Sequence, residues 1–284
     1  MKLLRVGEPG KERPALLDSA GQVRDLSGVV ADIGGEALLP ESLAKLGSLS
    51  TAMLPIMAAA PTRIGPCVGS VGKVICIGLN YRDHAAEANM PIPTEPILFL
   101  KPTSSIIGPD DDVEIPLGAE KADWEVELGV VIGKPGKYVP RGRAMDHVAG
   151  YCVVNDLSER AYQLERGGQW DKGKGCDTFA PIGPWLVTKD EVPDPQVLDL
   201  WLDVDGQRFQ NGNTRTMIFD VPHLVSYISQ FMSLRTGDVI ATGTPPGVGL
   251  GQRPPRYLKA GQTVRVGITG LGIQTQHTVA ATLL

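Results

Sequence analysis

The pattern of apolar and polar positions along the chain predicts many short strands and few helices. Short apolar runs rich in valine and isoleucine are separated by clusters of Gly, Pro, Asp and Asn, as is typical of strands joined by turns. Between Asp220 and Phe231, apolar residues instead return every three or four positions, which predicts a helix capped by Asp220. A short helix is also predicted over 40–46. We therefore expect a mainly β protein with a few helices (α+β).

The patterning divides the chain into two unequal parts. Three short strands are predicted before residue 27, in a small β-rich module that carries no recognisable chemistry. The Ala/Pro-rich segment 58–66 is predicted to be a linker. We accordingly place a small N-terminal β-rich domain at 1–65 and a larger domain at 66–284.

The most informative predicted strand starts at Trp124 and reads Trp-Glu-Val-Glu-Leu-Gly-Val-Val-Ile. Residues two apart point to the same side of a strand, so Glu125 and Glu127 face one way. Two adjacent carboxylates in an apolar strand are costly to bury unless a cation offsets their charge. Asp156, which ends the apolar run beginning at Val148, could supply a third oxygen. Three carboxylates suit Mg²⁺ or Mn²⁺; the alternative is an edge strand with its acids in water.

A second candidate group is the pair His84 and Glu87. The two residues are three apart in a segment that is predicted to be helical after Asn80, so they lie on one helical face. A carboxylate beside an imidazole fixes its tautomer and raises its basicity, which favours a general base. The alternative is a surface pair worth a few tenths of a kcal/mol.

The Gly/Pro-rich loop 242–249 follows a predicted strand that begins at Asp238. Its backbone N–H groups and the hydroxyls of Thr242 and Thr244 are expected to be free for an anionic ligand. The loop lacks the Lys-Ser/Thr ending of a phosphate loop, which argues against nucleotide binding. Farther upstream, residues 211–214 are predicted to form a turn.

Composition limits the classes of partner. A net charge of −5 without a long Lys/Arg run argues against nucleic acid and anionic membranes as partners. No apolar run approaches the roughly 20 residues that span a bilayer. The N-terminus has charges where a signal peptide has its apolar core, and the four cysteines have no short metal-ligand spacing. We therefore expect a cytoplasmic protein whose main partner is neither nucleic acid nor an anionic membrane.

Over about residues 73–250 the motifs together resemble the fumarylacetoacetate hydrolase family. They are, in chain order, Gly78-Leu-Asn-Tyr with His84 and Glu87, Phe99-Leu-Lys-Pro, Glu125-Val-Glu-Leu, Asn155-Asp with Arg160 and Gln163, Gly173-Lys with Asp177-Thr, Asn213-Thr with Met217-Ile-Phe, and Thr242-Gly-Thr-Pro-Pro-Gly-Val-Gly. Jointly these motifs are specific, whereas the N-terminal module is only loosely covered.

The resemblance implies a β-sandwich or roll, a homodimer, and one Mg²⁺ or Mn²⁺ per subunit bound by the three carboxylates. It assigns His84 and Glu87 as a water-activating dyad on a mobile lid. Lys174 would be the third catalytic residue, with a pKa lowered towards neutrality by burial near the cation. The residues implied in substrate binding are Arg160, Gln163, Thr244, Tyr81 and Lys101.

This chain departs from many members in two places. Ser158-Glu-Arg-Ala stands where they have Ser-Ala-Arg-Asp, and Lys172 competes with Lys174 for the role of active lysine.

The implied activity is metal-dependent hydrolysis of the C–C bond of a 2,4-diketo acid, which yields pyruvate and a second carboxylic acid. The polar segment 158–174 favours a sugar-derived substrate such as 2,4-diketo-3-deoxy-L-rhamnonate. The chain also resembles the bacterial subset that acts on such acids, together with ureidoglycolate lyase-like proteins. Two alternatives stay open. The first is another enzyme that would form the same kind of intermediate, the enolate of pyruvate or a close relative: a decarboxylase of oxaloacetate or an isomerase of the 2-hydroxyhepta-2,4-diene-1,7-dioate type. The second is a non-enzymatic module with a structural cation.

Overall fold

The computed structural model describes residues 1–57 and 63–283. Strands account for most of its regular structure. The first nine are β1 (Lys2–Val6), β2 (Arg13–Leu17), β3 (Val23–Asp25), β4 (Val74–Gly78), β5 (Ile97–Lys101), β6 (Ile106–Ile107), β7 (Val113–Ile115), β8 (Ala122–Asp123) and β9 (Val126–Ile132). The rest are β10 (Val148–Asn155), β11 (Ser158–Glu159), β12 (Ala180–Thr188), β13 (Asp199–Val204), β14 (Gln207–Asn213), β15 (Val239–Ala241), β16 (Thr263–Ile268) and β17 (Gly272–Ala280).

The helices are few and mostly short. The α-helices are α1 (Pro40–Gly47), α2 (Arg82–Glu87), α3 (Arg160–Leu164), α4 (Asp171–Lys174) and α5 (Val221–Phe231). Single turns of 3₁₀ helix lie at Gly35–Leu38, Thr51–Met53, Thr103–Ser105, Lys189–Glu191, Thr214–Thr216 and Gly249–Gly251, with a longer one at Arg141–His147.

The strands form one large sheet, one of five strands and one small pair. The large sheet has the order β3-β2-β1-β12-β10-β9-β15-β4-β5, with β6 added on β12. The five-stranded sheet has the order β14-β13-β16-β17-β7, and β11 pairs with β8. Most neighbours are antiparallel, but β15 runs parallel to β4. Strand β9 therefore lies inside the large sheet, between β10 and β15.

The two main sheets bury the larger apolar core. It includes Leu128 of β9 and Leu202 of β13, which belong to different sheets. On its other face the large sheet packs against the N-terminal part of the chain, where Val131 of β9 and Leu46 of α1 share a second core. A strand covered on both faces has to be apolar along its length, which explains the continuous run in β9. The predicted mainly β sandwich with a few helices is confirmed.

Most of the predicted elements are confirmed, including the helix capped by Asp220, whose side chain accepts a hydrogen bond from the backbone N–H of His223. The turn predicted over 211–214 is wrong for most of its length. Strand β14 continues to Asn213 because its residues stay paired with β13 as far as Asp199. Cross-strand pairing thus overrides the turn preference of Asn-Gly-Asn.

The N-terminal strands extend the large sheet, since β1 pairs with β12. The proposed boundary between 1–65 and 66–284 stays a prediction. Of the predicted linker 58–66, residues 58–62 lie outside the described part of the chain. Among the residues that are described, no helix is both long and apolar enough to span a membrane.

Candidate active site

A pocket of about 410 Å³ lies where several segments meet at the start of β9. Its walls include both glutamates of this strand region, the His–Glu pair of α2, and charged residues of α3 and α4. The predicted site residues that line it are His84, Glu87, Glu125, Glu127, Arg160, Gln163, Lys174 and Thr244. Residues that are far apart in the sequence are therefore brought to one cavity.

The acidic cluster arises from the pairing of β9 with β10. Glu127 lies opposite Val154, and the backbone N–H of Asp156 donates to the carbonyl of Glu125. Glu125, Glu127 and Asp156 each place a carboxylate oxygen within 4.8 Å of the others, and all three residues are buried. The alternative of a solvated edge strand is wrong, because β9 is internal and Glu127 is only 1% exposed.

Two lysines neutralise part of the cluster. Lys174 Nζ lies 2.7 Å from Glu125 Oε2 and 2.8 Å from Asp156 Oδ2. Lys101 Nζ lies 2.6 Å from Asp156 Oδ1 and also donates to the carbonyl of Leu157. Asp156 is thus bound by one ammonium group at each carboxylate oxygen.

These charges act differently on the two glutamates. Burial by itself would raise the pKa of Glu125, but Lys174 and Arg160 outweigh it and lower that pKa to about 2. Burial raises the pKa of Glu127 well above its usual range, and the charges of Asp156 and Glu125 add to the rise. Among the described residues Glu127 has no basic partner and accepts only from the N–H of Gly243, at 2.8 Å. Glu127 is therefore the acid whose ionised form is least compensated.

The expected lowering of the Lys174 pKa concerned a site with a bound cation, and the protein's own groups shift that pKa in the other direction. Burial alone would lower its pKa, but the carboxylates of Asp156 and Glu125 outweigh burial and raise the pKa above its ordinary range. The protein's own groups therefore keep Lys174 protonated. Lys172, its competitor in the sequence, donates to the carbonyl of Arg166 at 2.7 Å and does not line the pocket. The geometry thus selects Lys174 as the lysine of this site.

The donor set suits a hard divalent cation. Three carboxylates offer oxygen ligands at short mutual distances, and oxygen is the donor that Mg²⁺ and Mn²⁺ prefer. The uncompensated charge of Glu127 would be offset by such an ion. Glu125, Glu127 and Asp156 are therefore the residues that would hold such an ion, with Lys174 beside them.

The predicted pair on α2 is formed. His84 Nδ1 lies 3.0 Å from Glu87 Oε2, and both residues face the pocket. Glu87 is held in turn by the backbone N–H of Gly247, 2.9 Å from its Oε1. With Nδ1 engaged by the carboxylate, the Nε2 atom of His84 is the ring nitrogen left for a proton acceptor role. The pair thus differs from a solvent-exposed surface pair, because it lines a pocket and Glu87 is held by the backbone of another segment.

The threonine hydroxyls of the loop after β15 form hydrogen bonds within the protein. Thr242 Oγ1 donates to the carbonyl of Leu128, and Thr244 Oγ1 donates to that of Val126. Thr244 Oγ1 also accepts a hydrogen bond from Gln210 Nε2. The expectation of free threonine hydroxyls is therefore wrong, because the loop lies against β9 and satisfies its carbonyl groups. Thr244 still lines the pocket.

Arg160 is fixed by three partners. Its Nε lies 2.8 Å from Asp123 Oδ2, its Nη2 lies 2.7 Å from Glu125 Oε1, and its Nη1 lies 3.0 Å from Gln163 Oε1. Asp123 also accepts from the N–H groups of Gly249 and Leu250, and so ties Arg160 to the loop. The sequence analysis did not identify Asp123. The sequence does place Asp123 two residues before Glu125, so the strand period would have put both side chains on the same side.

Two buried side-chain amides hold the backbone of the acidic segment, and the sequence analysis did not identify this role. Asn155 Oδ1 accepts from the N–H of Glu125, and Gln210 Oε1 accepts from the N–H of Val126. Both amides are fully buried. Asn155 belongs to the Asn155-Asp156 motif that the sequence analysis used. For Gln210, no feature of the sequence of β14 indicates that its side chain reaches β9.

Tyr81 and Lys101, which the resemblance implied in substrate binding, do not line the pocket. Tyr81 is fully buried, and its hydroxyl has no hydrogen-bond partner among the described residues. Lys101 lies behind Asp156 and holds its carboxylate. Their predicted contact with substrate stays a prediction.

Gly247→Ala should both destabilise the protein and misplace Glu87. Gly247 has φ +105°, and an added Cβ would lie 2.0 Å from the carbonyl oxygen of Phe209. We expect a loss of about 1–3 kcal/mol in the free energy of unfolding, together with reduced turnover. Denaturant unfolding and steady-state kinetics measure both effects. Gly142→Ala is the matched control, since nothing lies within 4 Å of its added Cβ; equal stability of the two variants would contradict this account.

Comparison with known proteins identifies the family to which the chain is similar. The family described as fumarylacetoacetate (FAA) hydrolase C-terminal matches residues 73–279. A protein of Burkholderia multivorans, described only as a hydrolase, is 65% identical over 99% of this chain and 100% of its own length.

Two solved structures carry different activities in their descriptions. The maleylpyruvate hydrolase of Sphingobium sp. SYK-6, in complex with manganese(II) and pyruvate, is 28% identical with a TM-score of 0.82, over 99% of this chain and 100% of its own. The 2-hydroxyhepta-2,4-diene-1,7-dioate isomerase of Mycobacterium marinum is 32% identical with a TM-score of 0.75, over 100% of both chains. On the family match and these identities, the chain belongs to the fumarylacetoacetate hydrolase family.

Proposed function

We propose that this protein is a metal-dependent hydrolase that cleaves the bond between carbons 3 and 4 of a 2,4-diketo acid. The products are pyruvate and a second carboxylic acid. The observation that carries the proposal is the His84–Glu87 pair, which faces the same pocket as the acidic cluster. A base beside a cation-binding group is what the activation of water requires.

The three carboxylates Glu125, Glu127 and Asp156 would bind one Mg²⁺ or Mn²⁺. When bound, the cation would supply Lewis-acid polarisation at the keto-acid end of the substrate. Support comes from the short distances among the carboxylate oxygens and from the manganese(II) in the maleylpyruvate hydrolase.

The protein's own side chains would transfer protons, stabilise negative charge and orient the substrate. His84, with its tautomer fixed by Glu87, takes a proton from water, and the resulting hydroxide adds to carbon 4. The tetrahedral adduct expels carbon 3 with the bonding electrons, and a proton returned to carbon 3 completes pyruvate. Lys174 lies at the cluster, with its ammonium group 2.7 Å from Glu125 Oε2, so it is suited to stabilise the negative charge or return that proton. Arg160 and Gln163 would orient the carboxylate end.

The main alternative is decarboxylation or isomerisation through the same kind of intermediate, the enolate of pyruvate or a close relative. Neither reaction needs an activated water molecule. Decarboxylation leaves the His84–Glu87 pair without a role, whereas isomerisation would use the pair only to move a proton. A non-enzymatic module with a structural cation leaves the pair unexplained as well. The homodimer implied by the resemblance stays a prediction.

The pocket bears on the choice of substrate. The sugar-derived substrate was suggested by the polar segment 158–174. Within this segment Lys172 does not line the pocket, and Arg166 packs on the ring of Tyr162. Much of the wall is apolar, including Ile97 and Leu250. A sugar-derived acid such as 2,4-diketo-3-deoxy-L-rhamnonate therefore belongs in a test panel as one candidate among several.

Product analysis by mass spectrometry tests the proposal. The panel contains acylpyruvates with alkyl, carboxylated and hydroxylated acyl groups, together with oxaloacetate, each with Mg²⁺ and with Mn²⁺. We expect pyruvate and one further acid in equal amounts from at least one acylpyruvate. Release of carbon dioxide alone, or a product of unchanged mass, would instead identify the protein as a decarboxylase or an isomerase.

A further inference from the structure

Among the cationic side chains that line the pocket, Arg253 differs from the others. Arg160 and Lys174 are buried and paired with carboxylates. Arg253 is exposed, so it lies where the pocket opens to solvent. It forms no hydrogen bond or ion pair with any residue in 1–57 or 63–283. Its charge is therefore available to a ligand in the pocket.

The loop that carries Arg253 is braced against the site. The N–H groups of Gly249 and Leu250 donate to Asp123, at 2.6 and 3.0 Å. The N–H groups of Gln252 and Arg256, on either side of Arg253, both donate to the carbonyl of Gly249. Because Asp123 also binds Arg160, the backbone of this loop is fixed relative to the charged end of the pocket.

Outside the charged cluster, the walls of the pocket are largely apolar. They include Ile97, Phe99, Leu164, Trp170 and Leu250. Hydroxyl groups of a ligand would lose their water against such walls without gaining partners, which is unfavourable. A hydrocarbon chain would be stabilised there instead.

We propose that Arg253 binds a carboxylate at the distal end of the substrate, which makes the substrate a dicarboxylic 2,4-diketo acid. The proposal rests on the proposed function for the orientation of the ligand, with its keto-acid end at the acidic cluster. The guanidinium group presents a planar fork that matches a carboxylate with two parallel hydrogen bonds. A hydrocarbon segment would then lie along the apolar walls, with a charged group at each end.

Binding of two uncleavable ligands tests this proposal separately from catalysis. 2-Oxoheptanedioate carries the distal carboxylate, and 2-oxoheptanoate has a methyl group in its place. Neither has the 4-oxo group that hydrolysis requires, so the comparison does not depend on the proposed reaction. Dissociation constants are measured calorimetrically with Mg²⁺ present, for the wild type, Arg253→Gln and Arg253→Lys. Arg256→Gln is the matched control, since Arg256 is a nearby exposed arginine that does not line the pocket.

We expect the wild type to bind 2-oxoheptanedioate about tenfold more tightly than 2-oxoheptanoate, since charge-assisted bidentate bonds are strong but a solvent-exposed charge is screened. Arg253→Gln should abolish that preference and leave the affinity for 2-oxoheptanoate unchanged. Arg253→Lys should keep part of the preference, and Arg256→Gln all of it. Equal affinities in the wild type, no binding of either ligand, or an equal loss for both ligands in Arg253→Gln would overturn the proposal.

Discussion

His84→Ala should lower turnover on a cleavable 2,4-diketo acid by about 10²–10⁴-fold, which is the usual contribution of a positioned general base. Substrate affinity should change little, because Arg160, Lys174 and the acidic cluster are untouched. Glu87→Gln should give a smaller but still large defect, since the amide keeps the shape and loses the charge that orients His84. Steady-state kinetics and ligand binding, measured on the same preparations, separate the two effects.

A matched control and a second reaction sharpen this prediction. His277→Ala removes an exposed histidine of β17 outside the pocket and should leave turnover unchanged. Any decarboxylation of oxaloacetate should survive both His84→Ala and Glu87→Gln, because that reaction needs no activated water. Near wild-type cleavage of the diketo acid by His84→Ala would show that another group is the base.

Glu127→Gln should abolish metal binding and turnover while leaving the fold intact. Loss of a group that only supports a metal ligand costs about 10–100-fold in metal affinity, so loss of a direct ligand should cost more. The free energy of unfolding without metal should not fall, because the amide oxygen of Gln can still accept from the N–H of Gly243 and no ion pair with a basic residue is lost. Calorimetric titration with Mn²⁺ and thermal melts with and without the ion measure both quantities.

The control for this variant is Glu120→Gln, which changes an exposed acid outside the pocket. It should bind Mn²⁺ and melt like the wild type. Exhaustive treatment with chelator should silence the wild type, and added Mg²⁺ or Mn²⁺ should restore it. Unchanged Mn²⁺ affinity in Glu127→Gln, or full activity after chelation, would contradict the proposed metal site.

Local pattern was sufficient for the parts of the site that lie within one element. The two-residue period of a strand placed Glu125 and Glu127 on one side, and the three-residue spacing of a helix paired His84 with Glu87. Their proximity in space is confirmed by the fold. The apolar runs likewise predicted β9 and β10, because a strand buried on both faces has few other compositions available.

Contacts between distant segments were beyond such reasoning. Glu87 is held by Gly247, 160 residues away, and Val126 is held by Gln210, 84 residues away. Nothing local distinguishes these residues from others of their kind. The same limit explains the incorrect expectation about Thr242 and Thr244, whose hydroxyls are engaged only because β15 pairs with β9.

The charge state of Lys174 illustrates a further limit. The lowered pKa expected from the sequence rested on burial near a bound cation, without knowledge of which carboxylates lie beside the lysine. The sign of the shift depends on Glu125 and Asp156 lying within 3 Å of its ammonium group, which is a property of the folded chain. Lys174 is therefore better suited to stabilise negative charge than to act as a neutral base.

The attack of water on carbon 4 is tested most directly with isotopically labelled water. The best substrate of the panel is cleaved in H₂¹⁸O, and the acid that is not pyruvate is analysed by mass spectrometry. The label in pyruvate is disregarded, because its keto oxygen exchanges with solvent. The account predicts at least one ¹⁸O atom in the carboxylate of the second acid, because exchange at the 4-oxo group of the substrate can add another, and none when that acid is only incubated with the enzyme. Formation of that acid without the label, or its absence from the products, would contradict the account.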